Sequence, residues 1–193
     1  MTFSDLKLPK PILDAIEDTG YTEPTPIQGK AIPIIMRRKD VIGIAQTGTG
    51  KTAAFSLPIL HQILAMPGRA APKTCRAMIL APTRELAVQI EDHFRRFAGG
   101  ARITTALVLG GVSRMAQIRQ LARGVDVLIA TPGRLLDHCE NTRGFAARLH
   151  GVETLVLDEV DQLLDAGFKK SIQQICSNLP PSRQNLCFSA TLP

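Results

Sequence analysis

Six short aliphatic and β-branched runs recur along the chain, and segments of helical spacing separate them. The runs are "DVIGIA" (40–45), "RAMILA" (76–81), "TTALVL" (104–109), "DVLIAT" (126–131), "ETLVLD" (153–158) and "QNLCFS" (184–189). The helical segments are 51–65, 84–98, 113–123, 132–140 and 160–178. This alternation constrains the fold more than any other feature. A strand, a helix and a second strand return parallel, with a right-handed crossover. Runs apolar on both faces suit a parallel sheet covered on both sides. The expectation is an α/β domain with a mostly parallel central sheet and helices on both faces. Two further helices are expected before the first strand, at 9–19 and 26–37. Pro9 and Pro26 stand near their starts, where a missing N–H is harmless. Residues 66–73, 97–102 and 140–151 read as loops.

At 193 residues, 45% of them hydrophobic, the chain can close one full core. It shows no repeat, low-complexity stretch or internal domain boundary. Aromatics are 4% with no Trp, so the core must rest on Leu, Ile, Val and Ala. The net charge of +6 favours polyanion partners weakly. Its distribution says more. Residues 67–152 hold thirteen basic and six acidic side chains, whereas 153–193 hold three and five. The four cysteines form no C-x-x-C pair and no zinc-spaced cluster, which suits idle thiols in a reducing compartment. The N-terminus lacks a signal-peptide run, and no stretch approaches the roughly 20 apolar residues of a membrane span. The expectation is a soluble, monomeric domain inside the cell, cytoplasmic or nuclear, with no membrane partner. The abrupt stop after "SATLP" reads as a truncated chain or as one half of a larger protein.

"GIAQTGTGKT" (43–52) follows one expected strand and opens a helix. Gly48 and Gly50 let the backbone curl so that successive N–H groups converge, and such a nest before a helix N-terminus binds phosphate. Lys51 can reach the β- and γ-phosphates, and Thr52 can ligate Mg²⁺. The general pattern has Gly where this chain has Ala45, a defect only if that position needs positive φ.

"LVLDEVDQLL" (155–164) sets acids directly after a strand. At the carboxyl edge of a parallel sheet, Asp158 can face Mg²⁺ held by Thr52, through water, and Glu159 can orient or deprotonate an attacking water. The same acids could instead cap a helix starting near Val160. The residues alone leave both readings open.

Taken together, "AQTGTGKT" (45–52), "PTRELA" (82–87), "GG" (110–111), "TPGR" (131–134), "DEVD" (158–161) and "SAT" (189–191) resemble, in order and spacing, the motifs of DEAD-box RNA helicases. The resemblance covers essentially the whole chain and implies a RecA-like P-loop NTPase domain, the N-terminal one of two. It divides the chain into a Q-motif segment, 1–30, and a helicase ATP-binding domain, 31–193, with the second RecA-like domain absent. Ala45 is ordinary for that family. Val160, where the family name has Ala, is a departure that is expected to tighten local packing and spare the acids.

The resemblance implies ATP and Mg²⁺ as cofactors and assigns residues to them. Ala45, Gln46, Thr47, Gly48, Thr49, Gly50, Lys51 and Thr52 would hold the phosphates. "GYTEPTPIQ" (20–28) resembles the Q motif, so Gln28 would read adenine, with Phe3 and Tyr21 packing on the base. Ser189 and Thr191 would couple to Asp161. Pro82, Thr83, Arg84, Gly110, Gly111, Thr131, Pro132, Gly133 and Arg134 would hold single-stranded or duplex RNA by its backbone. No aromatic is interleaved with them, so base stacking is not the expected mode. The implied activity is ATP-dependent local unwinding of RNA, with the second domain supplying arginines to the transition state. An ATP-gated RNA clamp and a DNA-directed helicase are the alternatives. Intact Lys51, Glu159 and Asp161 argue against the first, and the Q motif and "PTRELA" against the second.

Overall fold

The computed structural model describes residues 1–191. Its strands are β1 (Val41–Ile44), β2 (Cys75–Leu80), β3 (Thr105–Val108), β4 (Val125–Ala130), β5 (Thr154–Leu157) and β6 (Gln184–Ser189). They form one sheet in the order β1-β6-β5-β2-β4-β3, and every neighbouring pair is parallel. The helices are α1 (Lys10–Asp18), α2 (Pro26–Met36), α3 (Lys51–Ala65), α4 (Arg84–Phe97), α5 (Arg114–Ala122), α6 (Pro132–Asn141), α7 (Val160–Asp165) and α8 (Lys169–Ser177). Helix α2 runs across position 30, so the N-terminal segment is continuous with the rest. No helix among the described residues is long and apolar enough to cross a membrane.

Alternation along the strands builds two cores. Ile79, Ile129, Leu186 and Phe188 point into one, with Ile12 of α1, Ile32 of α2, Phe55 of α3 and Phe94 of α4. Leu80, Leu128 and Leu155 point into the other, with Leu121 of α5, Leu135 of α6 and Ile175 of α8. Each such aliphatic or aromatic side chain contributes about 1.5–3 kcal/mol by leaving water. The first core also encloses a polar clamp. The Gln62 and Gln184 side-chain amides both donate to the Ile35 carbonyl, at 2.8 and 3.0 Å, and tie α2, α3 and β6 together.

Three expectations need correction. The segment 160–178 is two helices, because Gly167 adopts φ +80 after α7. Phe168 N–H then donates to Leu163 O and Gly167 N–H to Leu164 O, a left-handed terminus that stops the helix. Part of the expected loop 140–151 is a 3-10 turn, Ala146–Gly151. Finally, the sheet is not covered everywhere. On the edge strand β1, Ile42 and Ile44 are 73% and 41% exposed, since the α5–α6–α8 layer does not reach that far.

Two glycines with left-handed backbone give a matched test of packing. A Cβ at Gly124 (φ +78) would stand 2.3 Å from the Ala71 carbonyl oxygen, whereas one at Gly144 (φ +72) would meet nothing within 4 Å. Gly144→Ala should cost only the left-handed conformation, about 1–2 kcal/mol. Gly124→Ala should cost at least about twice that, because backbone must move as well. Urea unfolding of both variants checks the difference.

Candidate active site

With all strands parallel, the loops after every strand emerge at one edge of the sheet. The strand order sorts the sequence motifs along that edge. The phosphate loop, "SAT" and "DEVD" follow β1, β6 and β5, which are neighbours. "PTRELA", "TPGR" and "GG" follow β2, β4 and β3, also neighbours. Ladder hydrogen bonds run on past the strand ends and register the motifs against each other. Ala45 N–H donates to Ser189 O at 3.0 Å, Asp158 N–H to Leu80 O at 3.0 Å, and Thr131 N–H to Val108 O at 3.3 Å.

In the phosphate loop, Gly48 and Gly50 take φ of +82 and +85, and Ala45 is not among the positive-φ residues. The absent glycine is therefore no defect. Gln46, Thr47 and Gly48 are exposed, and Thr49 hydroxyl donates to Gln46 O at 2.6 Å. Lys51 begins α3 and is 5% exposed. Its Nζ lies 3.2 Å from Glu159 Oε1, a buried ion pair that local sequence patterns did not show. The two are not aligned as a hydrogen bond. Lys51 Nζ and Glu159 Oε2 are both buried without a hydrogen-bond partner.

The acids are held unequally. Asp158 is 1% exposed and accepts Glu159 N–H at 3.0 Å. Burial, reinforced by the adjacent Glu159 carboxylate, pushes its carboxyl up to about 7. Glu159 itself stands at φ +50, ψ +57, a left-handed conformation unusual outside glycine. That geometry costs roughly 1–2 kcal/mol and turns its carboxylate toward Lys51 instead of onto the helix start. Asp161 N–H donates to Ser189 Oγ at 3.2 Å, and Thr191 hydroxyl donates to Asp161 Oδ2 at 3.3 Å. Desolvation raises the Asp161 carboxyl, but donors from Gln162, Ser189 and Thr191 and the Lys51 charge outweigh it and hold it below the usual range. Val160 is half-buried and outside both cores.

Gln28 is 3% exposed and bridges two elements. Its Oε1 accepts Thr25 N–H at 3.0 Å, and its Nε2 donates to Gly50 O at 3.1 Å. Phe3 is buried and Tyr21 is exposed, with its ring against Phe97 at 6.0 Å. Phe3 and Tyr21 line one hollow of about 340 Å³, whose lining does not include Gln28.

On the other half of the edge, Thr83 caps α4 by accepting Leu86 N–H at 3.2 Å. Arg84 and Gly111 are exposed and adjacent, and a Cβ at Gly111 (φ +77) would stand 2.5 Å from Arg84 Nη1. Gly110, Thr131 and Pro82 are partly exposed, Gly133 is exposed and Pro132 is buried at the start of α6. Arg134 is committed within the protein. It donates to Gln117 Oε1, Asp137 Oδ2 and the Val112 carbonyl. Buried Gln117 and His138 complete this strut and had no sequence signal. Gln117 Nε2 donates to Leu109 O at 2.6 Å, so its Oε1 is the acceptor toward His138 Nε2 at 2.7 Å. The strut fixes "GG" against "TPGR".

The residues fit a nucleotide with Mg²⁺ on the structure's own terms. Lys51 and Glu159 carry orphaned polar atoms at the mouth of the phosphate loop. Among the described residues no three His, Cys, Asp or Glu side chains converge as a metal cage.

A model of the DEAD/DEAH box helicase family matches residues 25–193. A probable ATP-dependent RNA helicase of Dictyostelium discoideum is 46% identical over 99% of this chain and 24% of its own length. An ATP-dependent rRNA helicase of Meyerozyma guilliermondii is 45% identical over 99% of this chain and 39% of its own. A probable ATP-dependent RNA helicase of Homo sapiens is 41% identical over 99% and 40%. The chain thus spans well under half the length of these relatives. The crystal structure of a DEAD box protein from the hyperthermophile Methanococcus jannaschii superposes with a TM-score of 0.89 at 35% identity, over 100% of this chain and 51% of that one. The fold is RecA-like α/β, as the motif order implied.

The raised Asp158 carboxyl has a sign that can be measured. Below pH 3.8 the folded and unfolded chains both hold that proton, and no penalty exists. Between 3.8 and about 7 only the folded chain keeps it, so stability falls as pH rises, and above about 7 the full penalty remains. Asp158→Asn should therefore raise the melting temperature of the nucleotide-free chain at pH 8, by on the order of 5 °C. The gain should shrink toward zero near pH 4. Thermal unfolding across pH tests it, and a pH-independent difference would defeat the electrostatic account.

Proposed function

The chain belongs to the DEAD/DEAH box helicase family, and on that premise we propose that it is the ATP-binding domain of an ATP-dependent RNA helicase. The observation that carries this reading is the buried Lys51–Glu159 pair beside Asp158, aimed at the phosphate loop. A buried cation and two buried carboxylates cost stability unless a ligand completes them. A nucleotide phosphate would draw Lys51 away, freeing Glu159 to orient or deprotonate the attacking water. Thr52 and Asp158 would hold Mg²⁺, which when bound neutralises phosphate charge. Asp161, held by Thr191 and Ser189, would link the acid site to the chain after β6.

Gln28 keeps one N–H and one lone pair beyond its bonds to Gly50 and Thr25. That remaining pair is the complement of adenine N7 and its N6 amine, and it would favour ATP over GTP. At the other half of the edge, the amino ends of α4 and α6 and the open backbone at Gly110 and Gly111 suit phosphates of an RNA strand. Hydrogen bonds to the 2′-OH would separate RNA from DNA. The relatives' greater length leaves room for the second RecA-like domain, whose arginines would supply the remaining transition-state charge.

In the longer protein, Glu159→Gln should keep nucleotide binding and lower RNA-stimulated ATP hydrolysis about 100-fold or more. An unchanged rate would remove Glu159 from the chemistry. The 193-residue chain alone should bind adenine nucleotide and leave a short RNA duplex unopened, which a strand-separation assay measures. Duplex opening by this chain would show that one RecA-like domain suffices.

A further inference from the structure

We propose that a cavity at the amino edge of the sheet is a second anion site, for a small ligand bearing two or more phosphate groups. It lies at the opposite end of the strands from the phosphate loop, and the proposal does not depend on the function proposed above. The cavity measures about 350 Å³, within the range of small-ligand sites. Four arginines line it, Arg69, Arg76, Arg102 and Arg123, with one acid, Asp126.

The acid is already spent. Asp126 Oδ2 accepts the Thr104 N–H and hydroxyl at 2.9 and 3.0 Å, and Oδ1 lies 3.5 Å from Arg76 Nη1. Arg76 is held further by donating to Gly68 O at 3.1 Å. The other three arginines are exposed, and among the described residues none forms an ion pair. Arg123 is the C-cap of α5, where the helix dipole favours a cation by about 0.3–1 kcal/mol. That effect fades within one turn and leaves Arg69 and Arg102 unexplained. A guanidinium fork matches two phosphate oxygens, and several forks around one hollow match an oligophosphate better than a single phosphate. Ile63 and Met66, at the end of α3, give the same cavity an apolar wall. The floor is rigid, since Val125 N–H donates to Thr74 O at 2.9 Å and Gly124 packs against the Ala71 carbonyl.

Amide NMR of this chain titrated with inorganic tripolyphosphate at physiological salt provides the test. Amides of Gly68, Thr104 and Gly124 should shift saturably, separately from those of Gly48 and Gly50, which report the phosphate loop. The Arg102→Ala/Arg123→Ala double variant should weaken the amino-edge phase about tenfold or more and spare the loop phase. The Arg119→Ala/Arg143→Ala pair, which removes the same two charges outside the cavity lining, should leave both phases within about twofold. Unchanged spectra elsewhere establish that the double variant folds. The proposal is overturned if only the phosphate-loop amides respond, if both variants weaken the amino-edge phase equally, or if a short 5′-hydroxyl RNA moves these amides and tripolyphosphate does not.

Discussion

Parallel pairing of the six strands is the constraint on which the rest of this molecule depends. Because no strand runs backwards, every crossover must return over a face of the sheet, and every motif-bearing loop must leave at the carboxyl edge. The edge is about 24 Å wide at about 4.8 Å per strand step. Strand order divides it between two chemistries. The proposed nucleotide residues follow β1, β6 and β5, and the proposed RNA residues follow β2, β4 and β3. The division falls between β5 and β2, where Asp158 N–H bonds the Leu80 carbonyl. The acid site and "PTRELA" thus share one ladder, joined by that hydrogen bond.

Stability is spent at that edge and supplied elsewhere. Asp158 holds its proton to about pH 7 through burial, Glu159 stands in a left-handed conformation, and Lys51 faces it without a hydrogen bond. Each is a cost of order 1–3 kcal/mol. The offset is the pair of cores beneath, where Phe55 and Phe188 meet at 5.4 Å and the glutamine clamp locks α2 to β6. The nucleotide-free edge is thereby held in a state that a phosphate ligand would relieve.

Much of this was legible in the sequence. Each expected strand lies within about one residue of the observed one, because an apolar run between turn residues is a local signal. The turn through Gly48 and Gly50 was legible for a similarly local reason, two close glycines after a strand. What escaped was tertiary, apart from one local break. The break at Gly167 depends on a left-handed terminus that helical periodicity does not record. The pairing of Lys51 with Glu159 joins residues 108 positions apart, and Gln117 and His138 look like ordinary helix residues until Arg134 and His138 meet at Gln117 Oε1. The exposed face of β1 follows from its place at the sheet margin, which no local pattern encodes.

Segment charge said little about where the basic side chains would stand. The fold deals the thirteen basic residues of 67–152 to both ends of the sheet. At the carboxyl edge, Arg114 and Arg134 are both bound by Asp137, whereas Arg84 forms no ion pair among the described residues. The proposed RNA surface therefore relies on backbone N–H groups, helix starts and hydroxyls more than on free cations. Such groups position a phosphate without displacing many counterions, so binding at this half of the edge should depend only shallowly on salt. A strand held there by backbone groups would be gripped through its phosphates, without regard to base sequence.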